Sequence, residues 1–240
     1  MVVGVGAAAG LGAALSRRFA AEGYHVIAVG RTPERIGLVT NSILSNGGSA
    51  EPFEADATIE EDILRLFDYA FAPVPERQLP DLVVFNTGAN RPIDFLTMES
   101  NDFEKFWRVG CFAGFLVGRE AARRMVSLGR GSILFTGASA SLRGKPQYAQ
   151  FAAAKAGLRV VAQSMAREFG PMGLHVAHIV IDGGIDGEVL RTKWPEVARA
   201  KGEDGLLKAD AVADTYWHVH RQHPSAWSQE VDVRPNKEFF

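Results

Sequence analysis

The run PQYAQFAAAK, residues 146–155, holds two residue types suited to proton transfer, a phenol at Tyr148 and an ammonium at Lys155. Between them Phe151 carries a ring but no hydroxyl. On a helix seven residues nearly complete two turns, so Tyr148 and Lys155 would share a face while standing roughly 10 Å apart along the axis. Pro146 marks the helix start and puts Tyr148 in the first turn. A second run, VGVGAAAGLGAAL, has the glycines of an anion cradle. Gly6, Gly10 and Gly12 let the backbone turn tightly, approach a diphosphate and pack a helix on a sheet. That helix's N-terminus would add amides and a partial positive charge. Placed after a strand and opening a helix, the loop predicts a dinucleotide site.

These residues need a scaffold that positions them. Short β-branched runs alternate with longer amphipathic ones along the 240 residues, the rhythm of βαβ units around a parallel sheet. Strands are expected at Val2 to Val5, His25 to Val29, Leu82 to Phe85, Ser132 to Thr136 and His175 to Ile181. In the first helix Leu11, Leu15 and Phe19 recur every four residues, and Gly23 stands where a C-terminal cap belongs. FAPVPERQLP, residues 71–80, contains three prolines and reads as a loop. From Ile185 to about Leu207 the pattern weakens and charges crowd, which fits either a substrate loop or a solvated helix pair. The same rhythm holds on both sides of the proline-rich loop. The expectation is one three-layer, doubly wound Rossmann-type α/β domain over residues 1–240, with a mainly parallel sheet and its binding edge at the carboxyl ends of the strands.

Hydrophobic residues make up 47% of the chain and charged residues 22%, with a net charge of -2, the balance of a folded globule without the basic excess of a nucleic-acid binder. The apolar runs are strand-sized, and the N-terminus lacks a basic stretch followed by an apolar one. No membrane span and a cytoplasmic location are therefore expected. Cys111 is the single cysteine, which excludes an internal disulfide, and its neighbours Phe112 and Phe115 suggest a buried thiol. HVHRQH, with His218, His220 and His223, lacks carboxylates at ligand spacing and reads as a helix end, so no metal is expected.

Together these motifs resemble those of the classical short-chain dehydrogenase/reductase family over essentially the whole chain. The resemblance rests on the spacing of Gly6, Gly10 and Gly12, on FNTG with Asn86 and Gly88, on Lys155, and on EADAT, whose Asp56 would contact the adenine amine. It implies hydride transfer between a nicotinamide dinucleotide and a small carbonyl, alcohol or activated-alkene substrate. Lys155 would hold the nicotinamide ribose, and Gly183 and Ile185 would lie on the carboxamide side. In AVGRTPER, Gly30 occupies the position of the carboxylate that hydrogen-bonds the ribose of NAD, and Arg31 follows it. NADP(H) is therefore expected over NAD(H). The resemblance further implies a homodimer or homotetramer, with residues 151–168 as a subunit contact.

The same comparison exposes departures. The family's tyrosine, four residues before its lysine, is Phe151 here; its serine falls on Ala138 and its asparagine on Gly110. Asp182 stands at a proline position, and Gly187 replaces a threonine. Three readings follow. Tyr148 has the spacing to lysine of the divergent enoyl-thioester reductases, where it would polarise a conjugated carbonyl during hydride addition. Alternatively Ser139 or Ser141 orients a carbonyl substrate while water or Tyr148 supplies the proton. In the third reading the chain is a catalytically inactive dinucleotide-binding or oligomeric interaction protein.

Overall fold

Alternate residues of a strand point to opposite faces, and in the computed structural model of this chain, which describes residues 1–75 and 77–238, both faces of the central strands are buried. Seven strands form one parallel sheet: β1 (Val2–Val3), β2 (His25–Gly30), β3 (Ser49–Glu54), β4 (Leu82–Phe85), β5 (Gly131–Thr136), β6 (Leu174–Ile181) and, last in the chain, β9 (Glu230–Val233). Their order across the sheet is β3-β2-β1-β4-β5-β6-β9. A separate parallel pair joins β7 (Ile185–Asp186) to β8 (Leu207–Lys208).

Val3, Ile27, Val29, Val83, Phe85, Ile133 and Phe135 pack on one side against α3 (Glu60–Ala70), α5 (Ala113–Met125) and α6 (Ala149–Phe169). Val2, Val26, Ala28, Leu82, Val84 and Leu134 pack on the other against α1 (Leu11–Ala21), α2 (Pro33–Ser45) and α9 (Ala209–His220). This is the expected three-layer α/β fold. The chain leaves β1 toward β2 and returns to β4 on its other side, opening a crevice at the carboxyl ends of β1 and β4, where such sheets bind ligands.

Leu11, Leu15 and Phe19 are buried as their spacing predicts. Gly23, with φ +87°, ends the segment: its N–H donates to Ala20 O, and Tyr24 N–H donates to Phe19 O. β1 is shorter than expected because Gly4 turns at φ +103°, where Gly4 N–H and Val5 N–H both donate to Val29 O. Besides the short pair β7 and β8, two strands of the seven-stranded sheet escaped the sequence reading, β3 and β9, and they are its two edges. Each is solvated on one side and mixes polar residues with apolar ones, and β3 carries Pro52, which has no N–H for a second neighbour.

Between α4 (Ser100–Trp107) and α5 the helix runs through a π turn, Arg108–Phe112. Buried Gly110 lies in it, and a side chain there would begin 2.9 Å from Ala154 Cβ of α6. The stretch 185–207 contains α7 (Glu188–Lys193) and α8 (Pro195–Lys201) between β7 and β8. Residues 71–80 form a loop, as expected, with residue 76 outside the described residues. Among the described residues no helix is long and apolar enough to cross a membrane.

Candidate dinucleotide and active site

The glycine loop lies at the carboxyl end of β1 and leads into α1 through Gly10, an extended N-cap that offers no side chain to the first-turn amides. No acidic residue stands in that first turn, so its partial positive charge is unopposed. Gly6 faces open space, whereas a Cβ on Gly12 would stand 2.6 Å from Gly4 O. Gly12 therefore holds helix and loop together, and Gly4, which the sequence reading passed over, completes the turn.

At the end of β2, a Cβ on Gly30 would lie 2.3 Å from Val5 O and 2.8 Å from an Ile36 methyl carbon. Arg31 projects from the next position, two-thirds exposed, with Nη1 3.4 Å from Asp56 Oδ2. The other Asp56 oxygen accepts from Thr58 N (2.9 Å) and Thr58 Oγ1 (2.7 Å). Partial burial works against ionisation of Asp56, but the Thr58 hydrogen bonds and the Arg31 charge outweigh it and hold the carboxyl below its ordinary range. The fold thus brings Arg31 and Asp56 together beside the glycine loop.

Asn86 ties three strands. Its Nδ2 donates to Gly4 O (3.1 Å) and its Oδ1 accepts from Thr136 Oγ1 (3.0 Å), which also pairs with the buried Tyr216 hydroxyl at 2.7 Å. Gly88 faces Lys155, and a Cβ there would stand 3.3 Å from Nζ. The Lys155 ammonium is buried and donates to Thr136 O at 2.7 Å, with Thr87 O at 3.4 Å. Burial lowers its pKa to about 8.

Phe151 stands one helical turn before Lys155 on α6. Tyr148 is the N-cap of that helix, one position before its first turn, and its ring lies 5.9 Å from Lys145 Nζ. Ser139 and Ser141 lie on a short 3-10 turn, Ser139–Ser141, directly after Ala138. Ser141 does not face the crevice freely: its hydroxyl oxygen accepts from Ala138 N (3.1 Å) and lies 3.3 Å from His178 Nε2. His178 Nδ1 is 3.1 Å from Glu230 Oε2, and Glu230 accepts from Arg159 Nε and Nη2 at 2.6 and 2.8 Å. Burial drives the His178 pKa down to about 4 against the pull of Glu230. Neutral His178 donates to the carboxylate and accepts from Ser141, so the Ser141 hydroxyl is committed to the interior. The sequence offered no signal for this chain, because its side-chain contacts join residues 37 to 71 positions apart.

At the end of β6, Asp182 is buried and accepts from Arg143 Nη2 through both oxygens at 3.1 Å. Gly183 and Ile185 follow it into β7. The segment returns to the glycine loop at Gly187, where a Cβ would stand 3.0 Å from Ala9 O. His220 is used structurally between Tyr24 OH (2.7 Å) and Ser132 Oγ (2.8 Å), His218 bonds Asp214 O, and His223 bonds Ser225. Cys111 is buried, and burial raises its thiol pKa.

A parallel sheet in this order, with a glycine loop at its switch point and a buried lysine beside it, defines a dinucleotide-binding oxidoreductase architecture. The family described as short chain dehydrogenase matches residues 1–197, and the chain belongs to that family. Over 188 residues it is 30% identical to the 3-oxoacyl-(acyl-carrier-protein) reductase MabA of Mycobacterium avium, a match covering 76% of this chain and 66% of that one. The solved structure of a short-chain dehydrogenase from Rhodopseudomonas palustris superposes with a TM-score of 0.81 at 38% identity, covering 97% of this chain and 96% of that one. A metagenomic short-chain oxidoreductase in complex with NADP shares the fold, with a TM-score of 0.78 at 23% identity over 98% of this chain and 97% of that one. Curated relatives are named as reductases and dehydrogenases.

Proposed function

We propose that this chain is an NADP(H)-binding oxidoreductase that keeps the hydride-transfer half of its family's site and has an altered proton-transfer half. Its substrate is a small carbonyl, alcohol or activated alkene. The observation that carries this reading is Lys155, buried and anchored beside Gly88 although the residue one turn before it is Phe151.

The residues fit a dinucleotide. The first turn of α1 has no side-chain cap or acid, Gly6 faces open space, and the buried Thr87 hydroxyl beside Lys155 has no hydrogen-bond partner among the described residues. Gly6, Gly10 and Gly12 would hold the diphosphate, Arg31 a 2′-phosphate and Asp56 the adenine amine. Asn86 and Gly88 would form the wall beside the nicotinamide ribose, which Lys155 would bind. Gly183 and Ile185 would meet the carboxamide. When bound, the nicotinamide supplies or accepts the hydride.

On the proton side Phe151 has nothing to donate, and Ala138 and Gly110 offer no hydroxyl or amide. Tyr148 and Ser139 are the hydroxyls proposed for the substrate side, with Ser139 preferred over the inward-held Ser141 as the substrate-orienting group. Residues 185–207 serve as the substrate loop of a single domain. Exposed Trp107, Phe115 and Val160 on α4, α5 and α6 supply apolar surface for a homodimer or homotetramer.

The test offers NADPH with a panel of ketones, quinones and enoyl thioesters while cofactor absorbance is followed, in the wild type and in Tyr148→Phe. The expected result is oxidation of NADPH by an enoyl or ketone substrate, lost in Tyr148→Phe. NADPH binding without turnover across the panel would contradict the catalytic part and point to a ligand-sensing protein.

A further inference from the structure

We propose that Arg143 recognises an anionic group, a carboxylate or a phosphate, on the substrate of this site. The proposal rests on the reading of the sheet's carboxyl edge as the place of reaction.

Arg143 belongs to the exposed run 142–147. That run connects the turn carrying Ser139 to Tyr148, so both ends adjoin the residues assigned to the substrate side. The guanidinium reaches across to the end of β6, where Nη2 alone contacts both oxygens of Asp182. Asp182 is itself fixed: its N–H donates to Val233 O at 2.9 Å, its side chain is 4% exposed, and Arg234 Nη2 lies 3.3 Å from Oδ2. One nitrogen is therefore enough to hold the Arg143 head in place. Among the described residues no protein acceptor engages Nε or Nη1, and the side chain is 45% exposed. A guanidinium offers five donors in a rigid fork, and one held in advance loses little conformational freedom when an anion arrives.

The carboxylate that holds it is shared. Asp182 serves two arginines, Arg143 and Arg234, and Arg234 is paired again with Asp232 at 2.7 Å. Lys145, two positions from Arg143, places its ammonium over the Tyr148 ring. Arg143 thus shares its carboxylate with a second arginine, and a further cation, Lys145, stands beside Tyr148. An uncharged substrate would leave the free Arg143 donors to water, whereas a carboxylate or phosphate would accept charge-assisted hydrogen bonds.

The test measures binding rather than turnover. With saturating NADP⁺, which holds no hydride to transfer to a ketone, ligand-detected NMR compares acetoacetate with methyl acetoacetate and dihydroxyacetone phosphate with dihydroxyacetone. The same titrations are run without cofactor. The charged member of at least one pair should bind about tenfold tighter than its neutral partner. The preference should fall to within about twofold in Arg143→Gln, with NADP⁺ affinity unchanged. The carboxylate and phosphate pairs distinguish the two kinds of anion.

Because Arg143→Gln removes a partner of buried Asp182, its thermal midpoint is recorded. If it fails to fold, Arg143→Lys, which keeps the charge but loses the fork, should weaken the charged probes selectively. Equal binding of charged and neutral probes, a preference that survives both substitutions, or no binding of either charged probe would overturn the proposal. Charged-probe binding that depends on Arg143 in a protein that binds no NADP⁺ would sink the cofactor reading and leave this one standing.

Discussion

Lys155 Nζ donates a 2.7 Å hydrogen bond to the carbonyl oxygen of Thr136, joining the middle of α6 to the carboxyl end of β5. Thr136 in turn bonds Asn86 and Tyr216 through its hydroxyl. The lysine is thus held by the sheet, and its position does not depend on a hydroxyl one turn earlier. In the reading proposed above this separates two halves of the site: the group assigned to the nicotinamide ribose keeps its anchor, and Phe151 has no proton to donate.

Lys155 makes stability depend on pH in alkaline solution. Its pKa of about 8 in the fold lies below its ordinary 10.5, so between those values the unfolded chain binds more protons and stability rises with pH. Denaturant unfolding of the wild type at pH about 7.5 and about 10, compared with Lys155→Met, should show a rise on the order of 2 kcal/mol that the variant lacks. The same pH dependence in both proteins would show that the ammonium is not buried.

His178 acts in the acid range with the same sign. Burial holds its pKa at about 4 against an ordinary 6.5, so stability is lost as pH falls from about 6.5 to about 4. His178→Gln should flatten that part of the profile relative to the wild type. At neutral pH it should cost about 1–3 kcal/mol, because Ser141 and Glu230 each lose a partner. A variant as stable as the wild type at neutral pH would deny the chain any structural weight.

Phe151→Tyr restores a phenol one turn before Lys155. Steady-state assays with NADPH and a ketone panel should show a gain of about a hundredfold in kcat/KM for at least one ketone, the lower range of general-acid catalysis. Adding Ala138→Ser should increase it further. No gain in either variant, with NADPH still bound, would show that Phe151 is not what limits carbonyl reduction.

Gly30 is fixed by contact. Because a Cβ would meet the backbone of Val5 at 2.3 Å, Gly30→Ala should lower stability by about 1–3 kcal/mol and Gly30→Asp by at least as much. Thermal denaturation checks this. A Gly30→Asp protein of wild-type stability would mean that the absence of an acid there reflects nucleotide preference alone.

The sequence made the central strands legible because both of their faces are buried, which writes them as unbroken apolar runs such as Leu82–Phe85. Edge strands β3 and β9 carry no such run. The place of Gly6, Gly10 and Gly12 in a loop between a strand and a helix was readable from spacing, since a loop fixes neighbours along the chain, while Lys155 was singled out by the family resemblance. What could not be read were relations between distant elements: Asn86 reaching Gly4, Ser141 turned toward His178, and Asp182 shared by Arg143 and Arg234. The π turn at Gly110 was hidden for a related reason, since its close approach to Ala154 belongs to packing between helices. The inward turn of Ser141 narrows the candidate hydroxyls, and the crossing of Arg143 to β6 directs attention to a segment that no motif marked.

The most direct test of the account is an equilibrium titration of the purified protein with NADPH and NADH by cofactor fluorescence, repeated with Arg31→Ala. Saturable binding is predicted, with NADPH about tenfold tighter than NADH and that preference removed by Arg31→Ala. Failure to bind either dinucleotide would contradict the central claim, and tighter binding of NADH would contradict the role given to Arg31.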